Sequence, residues 1–245
     1  MRRLARSPLF TSVTLLTLAL GIGANTAVFS LVHGVVLRPL PYRSPGELAT
    51  VWMEKIDDSA TDSFSYADFL DVRSQTGALS DIGFWTWWTM DIIAAGEPIS
   101  VQSVRVSANM LSILGVEPAQ GRLLFRPQEG EAGNDNVVIV SHPLWQGHYG
   151  GDPDLLGSEI ELDGAVHNLV GIMPQGFRFP YVLDYGAGFW TPLPMDPAEQ
   201  GRASRWINLV GRLEEGTSFE QAGTELAMIA ANAWPLRWPG RASTW

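Results

Sequence analysis

Apolar residues are concentrated first at the start of the chain. From Ser7 to Leu37 no residue carries a formal charge apart from a contribution from His33, and Leu9 to Val32 reads LFTSVTLLTLALGIGANTAVFSLV. As a helix this run would be about 36 Å long at roughly 1.5 Å per residue, enough for a hydrocarbon core of about 30 Å. Arg2, Arg3 and Arg6 precede it without an acid, and short arginine-rich flanks stay in the cytoplasm. The pattern therefore predicts a basic cytoplasmic N-terminus over residues 1–8 and one transmembrane helix over residues 9–36, with the remainder outside. A cleaved signal peptide shares the basic start and the apolar stretch. Here the stretch is long, and the nearest small-residue site, Ala24-Asn25-Thr26-Ala27, lies inside it, so the helix is expected to be retained.

Within this helix Thr14, Thr17, Gly21, Ala24, Asn25 and Val28 recur at three- or four-residue intervals and share one face. Small residues permit close approach of another helix, and an Asn amide facing lipid is costly unless paired. Thr17, Gly21 and Asn25 are the expected helix-packing residues, against membrane helices of another origin. The alternative is an anchor that merely tolerates small residues. Gly21-Ile22-Gly23 is no dinucleotide fingerprint: Thr26 occupies the third glycine position, and no strand precedes it.

Beyond the helix, prolines and a glycine in 38–46 mark a stiff, non-helical exit. The pattern then predicts a strand at Glu47–Glu54, a helix at Ser65–Thr76 with Ser65 as N-cap, and a strand at Phe84–Thr89. A further strand follows at Ile99–Val106, then a short helix at Ser107–Leu114 closed by Gly115. Val137–Val140 reads as a buried strand, and Ser141 as the cap of a short helix. Strands at Ser158–Leu162 and Ala165–Ile172 flank the hairpin dipeptide Asp163-Gly164. Trp206–Leu213 is the next strand candidate. Ser218 and Gln221 form a capping box ahead of a helix whose Ala222, Leu226, Ile229 and Ala230 share a face. Interspersed strands, hairpins and short helices without a βαβ period give a mixed α+β domain over residues 37–232, and residues 233–245 read as an irregular tail.

Composition narrows the chemistry. Four of the sixteen basic residues precede residue 39, leaving twelve against all twenty-six acids, a balance of −14 for the remainder. Such an acidic bulk argues against a nucleic-acid partner. The absence of cysteine removes disulfides, thiol nucleophiles and thiolate metal sites. Lys55, the single lysine, stands outside any phosphate-loop context, so any ATP chemistry belongs to another chain. His142 and His148 are six apart, unlike two ligands on one helix face, and Asp152-Pro153-Asp154 reads as a turn. No nucleophile elbow is present. No catalytic, cofactor or metal residue is therefore expected. Trp85, Trp87 and Trp88 keep a second class open, an anchored extracytoplasmic module binding glycan or peptide; an anchored hydrolase is a weaker third.

Four stretches, in order, resemble the MacB-like permeases. They are SPLFTSVTLLTLALGIGANTAVFSLVHGVVLRPLPY, VSANMLSILGVEPAQGR at Val106–Arg122, VIVSHPLWQGHYGGDPDLLGSEIELDGAVHNLV at Val138–Val170, and GIMPQGFRFP at Gly171–Pro180. The resemblance covers about residues 7–232, with Ala108 replacing a glycine of the family pattern. It implies a periplasmic core domain on a membrane stalk in the inner membrane, and a truncated permease without the family's three C-terminal FtsX-like helices. It further implies a non-catalytic relay of ATP-driven motion. The implied partners are a cytoplasmic ABC ATPase, the remaining permease helices, a periplasmic adaptor or lipoprotein, and membrane lipid.

Overall fold

The computed structural model describes residues 13, 16–26, 42–54, 61–94, 97–123, 125–131, 133–179, 186–196, 201–233 and 241–243. The chain divides into two compact units, Met1–Leu40 and Pro41–Trp245. In the first, residue 13 and residues 16–26 are helical. Among the described residues no helix is long and apolar enough to cross a membrane. Thr14, Val28 and the rest of the span expected over residues 9–36 lie outside them.

The second unit is built on a mixed sheet. Its strands are β1 (Leu48–Glu54), β2 (Thr61–Asp62), β3 (Leu79–Ala94), β4 (Glu97–Val106), β5 (Gln120–Gly121) and β6 (Val137–Val140). They are followed by β7 (Glu159–Leu162), β8 (Ala165–Ile172), β9 (Phe189–Pro192), β10 (Asn208–Leu213) and β11 (Arg241–Ser243). The helices are α1 (Tyr66–Gln75), α2 (Met110–Leu114), α3 (His142–Gly147) and α4 (Phe219–Ala233). The spatial order is β11-β1-β10-β3-β4-β9-β6-β8-β5, with β2 on β1 and β7 on β8. Pairing is parallel for β4–β9 and β6–β8 and antiparallel elsewhere.

Around β1, β10 and β3 the sheet is covered on both faces. Ala49, Val51, Ile82, Phe84 and Leu209 point into a core with Phe69 and Val72 of α1 and Ala222, Leu226 and Ile229 of α4. Their neighbours Leu48, Trp85 and Val210 point the other way, into a core with Met110, Leu111, Ile113 and Leu114 of α2. Double coverage explains why β10 shows no clean inside–outside alternation. A third core joins β6, β7 and β8 to Trp145 of α3 and to Met90 and Ile92 in the outer half of β3.

Local chemistry sets the helix ends. Ser65 caps α1, and Asp68 returns the bond to the Ser65 N–H, a reciprocal capping box. Ser141 caps α3 through the Leu144 N–H, and Ser218 and Gln221 exchange the same pair of bonds before α4. Glu225 of α4 accepts from the Gly77 and Ala78 N–H groups, which ties the end of α1 to α4. The Asp163-Gly164 turn has φ of 53° and 74°, the left-handed geometry of a two-residue hairpin.

Several elements differ from the sequence reading. Glu47 belongs to a 3-10 turn, Pro45–Glu47, so β1 begins at Leu48. β3 has 16 residues, far beyond Phe84–Thr89, because its outer half finds a second partner surface in the β7–β8 region. α2 begins at Met110 rather than at Ser107, whose hydroxyl accepts from the Phe84 N–H and donates to Asn109. β9, fully buried, was not expected. Of the tail read as irregular, Arg241–Ser243 pair with β1, whose outer edge offers unpaired backbone groups.

Gly171 marks the tightest backbone approach. A Cβ there would lie 2.0 Å from the Arg122 carbonyl oxygen, and backbone cannot swing aside. Gly147 in α3 has open space at the same position. Gly171→Ala is expected to lower the melting temperature by roughly 5–10 °C, for about 2–3 kcal/mol. Gly147→Ala should leave it unchanged or raise it slightly, since Ala is favoured over Gly in a helix. Thermal unfolding of the two variants checks both.

Candidate functional site

The most elaborated polar site lies at the start of the second unit, at residues 42–47. α2 has only five residues, so its last carbonyls need partners. Those of Leu111 and Ser112 accept from the Gly115 N–H, and that of Leu114 accepts from the Arg43 N–H at 3.2 Å. The Ile113 carbonyl accepts from Nε and Nη2 of Arg212 at 3.1 and 2.6 Å. The same guanidinium donates to the carbonyls of Arg43 (2.8 Å) and Ser44 (3.4 Å) and to the Glu47 carboxylate (3.0 Å).

Arg212 sits on β10, pointing toward α2, and is 8% exposed. Burying a guanidinium is costly unless its donors are used. Here it joins three segments: the sheet, the end of α2 and the exit segment. Gly115, at φ +64°, makes room for this contact, because a Cβ would lie 2.7 Å from Arg43 Cβ.

Tyr42 forms the second attachment. It is buried, and its hydroxyl donates to the Arg178 carbonyl. Burial pushes its phenol well above the usual range. Its ring meets Phe177 edge-on at 6.1 Å, and Phe177 meets Trp190 of β9 at 5.6 Å. Phe179 packs on Trp85 at 5.3 Å. The loop after β8 is thus a socket for Tyr42, with aromatic contacts that add to simple burial.

Beside the exit segment lies a groove of about 540 Å³, lined by Arg43, Gly115, Glu117, Arg122 and Arg126 among others. Arg122 makes a bidentate pair with Glu129 at 2.8 and 2.5 Å, and the Arg126 N–H also donates to that carboxylate. Burial alone would raise the Glu129 carboxyl. The Arg122 hydrogen bond, the Arg126 N–H and the two nearby charges outweigh it and hold the carboxyl below its usual range. A second cleft, about 460 Å³, is lined by Tyr66, Phe69, Arg73, Phe84, Asn109 and Met195 among others.

The helix face expected to pack in the membrane is regular. Thr17, Gly21 and Asn25 lie four residues apart within helical residues 16–26, and all three are exposed. The Thr17 hydroxyl donates to the Val13 carbonyl at 2.8 Å, so it serves its own helix. The tryptophan cluster does not make a flat platform. Strand alternation sends Trp85 and Trp87 to one face of β3, where they meet edge-on at 5.2 Å. Trp88 lies on the other face, with the Arg105 guanidinium 5.4 Å from its ring. His142 stacks edge-on with Trp145, and His148 with Tyr149. Asp152 accepts from the Asp154 N–H in a 3-10 turn. Among the described residues no group of three His, Asp or Glu side chains is placed to hold a metal ion. Arg212 and Tyr42 were missed in the sequence. Their signals were a lone charge in the apolar strand WINLVGRL and an aromatic closing the proline-rich exit.

Removing Arg212 would strand the buried Ile113 carbonyl and the part-buried Arg43 carbonyl, while Glu47 keeps its solvation because its side chain is 56% exposed. Arg212→Met is therefore expected to lose about 3 kcal/mol, a melting shift of roughly 6–12 °C, and Glu47→Gln about 0.5 kcal/mol or less. Equal losses would show that the ion pair, not the carbonyl clamp, holds the exit. Because the Glu129 carboxyl is depressed in the fold, its stabilisation is complete above the ordinary glutamate value, about 4.3. It fades as pH falls through the lower folded value. Denaturant midpoints measured down this acid range should fall less steeply for Glu129→Gln than for the parent.

The family profile described as MacB-like periplasmic core domain matches residues 11–229. No curated protein matches the chain. Three solved structures share the fold. One is the extracellular domain of the noncanonic ABC-type transporter YknZ from Gram-positive bacteria: TM-score 0.60, 12% identity, 80% of this chain and 99% of that one. The periplasmic region of MacB from Actinobacillus actinomycetemcomitans gives TM-score 0.60 at 11% identity, covering 81% and 88%. A domain of a protein described as a permease from Porphyromonas gingivalis gives TM-score 0.60 at 14% identity, covering 83% and 93%. The matched stretch runs through the Tyr42 attachment, the Phe177 loop and the Arg212 clamp, and the chain belongs to the MacB-like periplasmic core domain family.

Proposed function

We propose that this chain is a non-catalytic permease subunit of a MacB-like ABC export or mechanotransmission system. Residues 9–36 cross the cytoplasmic membrane once with the N-terminus inside, and the α+β domain stands on the far side. A separate cytoplasmic ATPase hydrolyses ATP, and further permease helices pack on the face of Thr17, Gly21 and Asn25. The outer domain passes the resulting motion to a transported substrate, an adaptor or a lipoprotein.

The observation that carries this reading is the clamp on residues 42–47. A flexible exit would absorb displacement of the stalk. This one is held at Tyr42, at Arg43 and Ser44, and at Glu47 by bonds to the Phe177 loop, α2 and β10. Displacement at the exit is then transmitted to the whole sheet. The separation of Trp88 from Trp85 and Trp87 on opposite faces of β3 speaks against a stacked sugar platform, since that requires aromatic rings on one surface.

The full chain, tagged in its host, tests this. An ABC ATPase and permease helices are expected to co-purify from solubilised, crosslinked membranes. Gly21→Leu with Asn25→Leu should leave insertion intact and cut recovery of the permease helices by roughly three- to thirtyfold, for about 0.6–2 kcal/mol of helix packing. Unchanged recovery would remove the packing role. A parent chain found only in the soluble fraction would remove the membrane reading.

A further inference from the structure

We propose that the groove beside the exit segment binds the phosphate of an anionic phospholipid headgroup, gripped by Arg43 and Arg126. This rests on the membrane reading above. The charge distribution is the first reason. The residues after Arg38 carry a balance of −14, yet Arg43, Arg122 and Arg126 line one groove in which, among the described residues, Glu117 is the one acid. An acidic domain tethered beside an anionic bilayer is repelled by it. This groove reverses the sign locally.

The second reason is how each arginine is used. Arg122 is neutralised by its bidentate bond to Glu129. Among the described residues no ion pair joins Arg43 or Arg126. Arg43 is nevertheless held: its N–H and carbonyl are bonded to Leu114 and Arg212, and its stem crosses Gly115 where a Cβ would lie 2.7 Å from its own Cβ. A guanidinium on a fixed stem loses little freedom on gripping a phosphate. The groove volume, about 540 Å³, accommodates a phosphoglycerol headgroup.

The third reason is reach. Arg43 follows residue 36, the end of the expected membrane helix, by seven residues, at most about 25 Å of extended chain. A headgroup is therefore at high local concentration, whereas free phosphate is not.

The chain has no cysteine, so Ala119→Cys, at an exposed position beside the groove, takes a single environment-sensitive fluorophore. The labelled full chain is placed in phosphatidylcholine nanodiscs with increasing phosphatidylglycerol, and inorganic phosphate is titrated in a parallel arm. A saturating phosphatidylglycerol-dependent shift is expected, weakening with salt. Its half-point should rise roughly thirtyfold in Arg43→Gln with Arg126→Gln. Arg126→Gln alone, at an exposed side chain, should raise it roughly fivefold, which covers a double variant that folds poorly. Arg73→Gln, the same charge change in the other cleft, should leave it unchanged. An equal response in the double variant, or one matched by Arg73→Gln, would overturn the proposal. So would saturation by inorganic phosphate at the same half-point, which would make the groove a free-anion site. A chain that fails to co-elute with nanodiscs would overturn the membrane reading and this proposal with it. Co-elution with a signal independent of phosphatidylglycerol would overturn the proposal alone.

Discussion

The buried guanidinium of Arg212 is the constraint on which the rest of the α+β domain turns. A charge with 8% exposure is tolerated only when its donors are spent, and the acceptors available dictate the architecture around it. The short helix α2 must end beside β10, so that the Ile113 carbonyl is within reach. The exit segment must then bend through Ser44, at φ 45°, so that the Arg43 and Ser44 carbonyls face the same group. A hydrophobic residue on β10 would pack as well or better against α2, but it would leave those carbonyls unanswered.

This clamp sits on a sheet sandwiched between two apolar layers, and the sandwich makes it stiff. α1 and α4 cover one face of β1, β10 and β3, while α2 and the Phe177 loop cover the other. The inner half of β3 shares both cores. Its outer half runs on to a third, where the Asp91 N–H and carbonyl bond the side chain and N–H of Asp163 in the β7–β8 turn. One strand therefore spans the domain from the clamp region to the far hairpin.

What could be read from the sequence was what a few neighbouring residues decide among themselves. Ser65, Ser141 and Ser218 close their own helices, and Asp163-Gly164 makes its own turn, so their positions were legible. Val137–Val140 was legible because a β-branched run has few other uses. β9 was not: four residues buried on both faces and ending at Pro192 show no alternation. The length of β3 was hidden because its outer half is stabilised by residues some seventy positions away. The start of α2 was read three residues early, at Ser107, because the Phe84 N–H that engages the Ser107 hydroxyl lies 23 positions away. The candidate site was hidden for the same reason. Arg212 bonds to residues 99 to 169 positions away, and only its presence in an apolar strand hinted at a partner. Thr17, Gly21 and Asn25 keep their four-residue spacing in helical residues 16–26.

The pairing of β1 with β10 has a consequence for how the domain is made. β1 leaves the ribosome well before β10, whose partner residues Leu209–Arg212 arrive some 160 positions later. Contacts so distant in sequence form slowly, and an unpaired strand edge invites wrong partners while it waits. The guanidinium that locks the exit arrives on that same late strand. A nascent chain interrupted before β10 would leave residues 43–47 attached to nothing rigid, so the clamp becomes a property only of the finished domain.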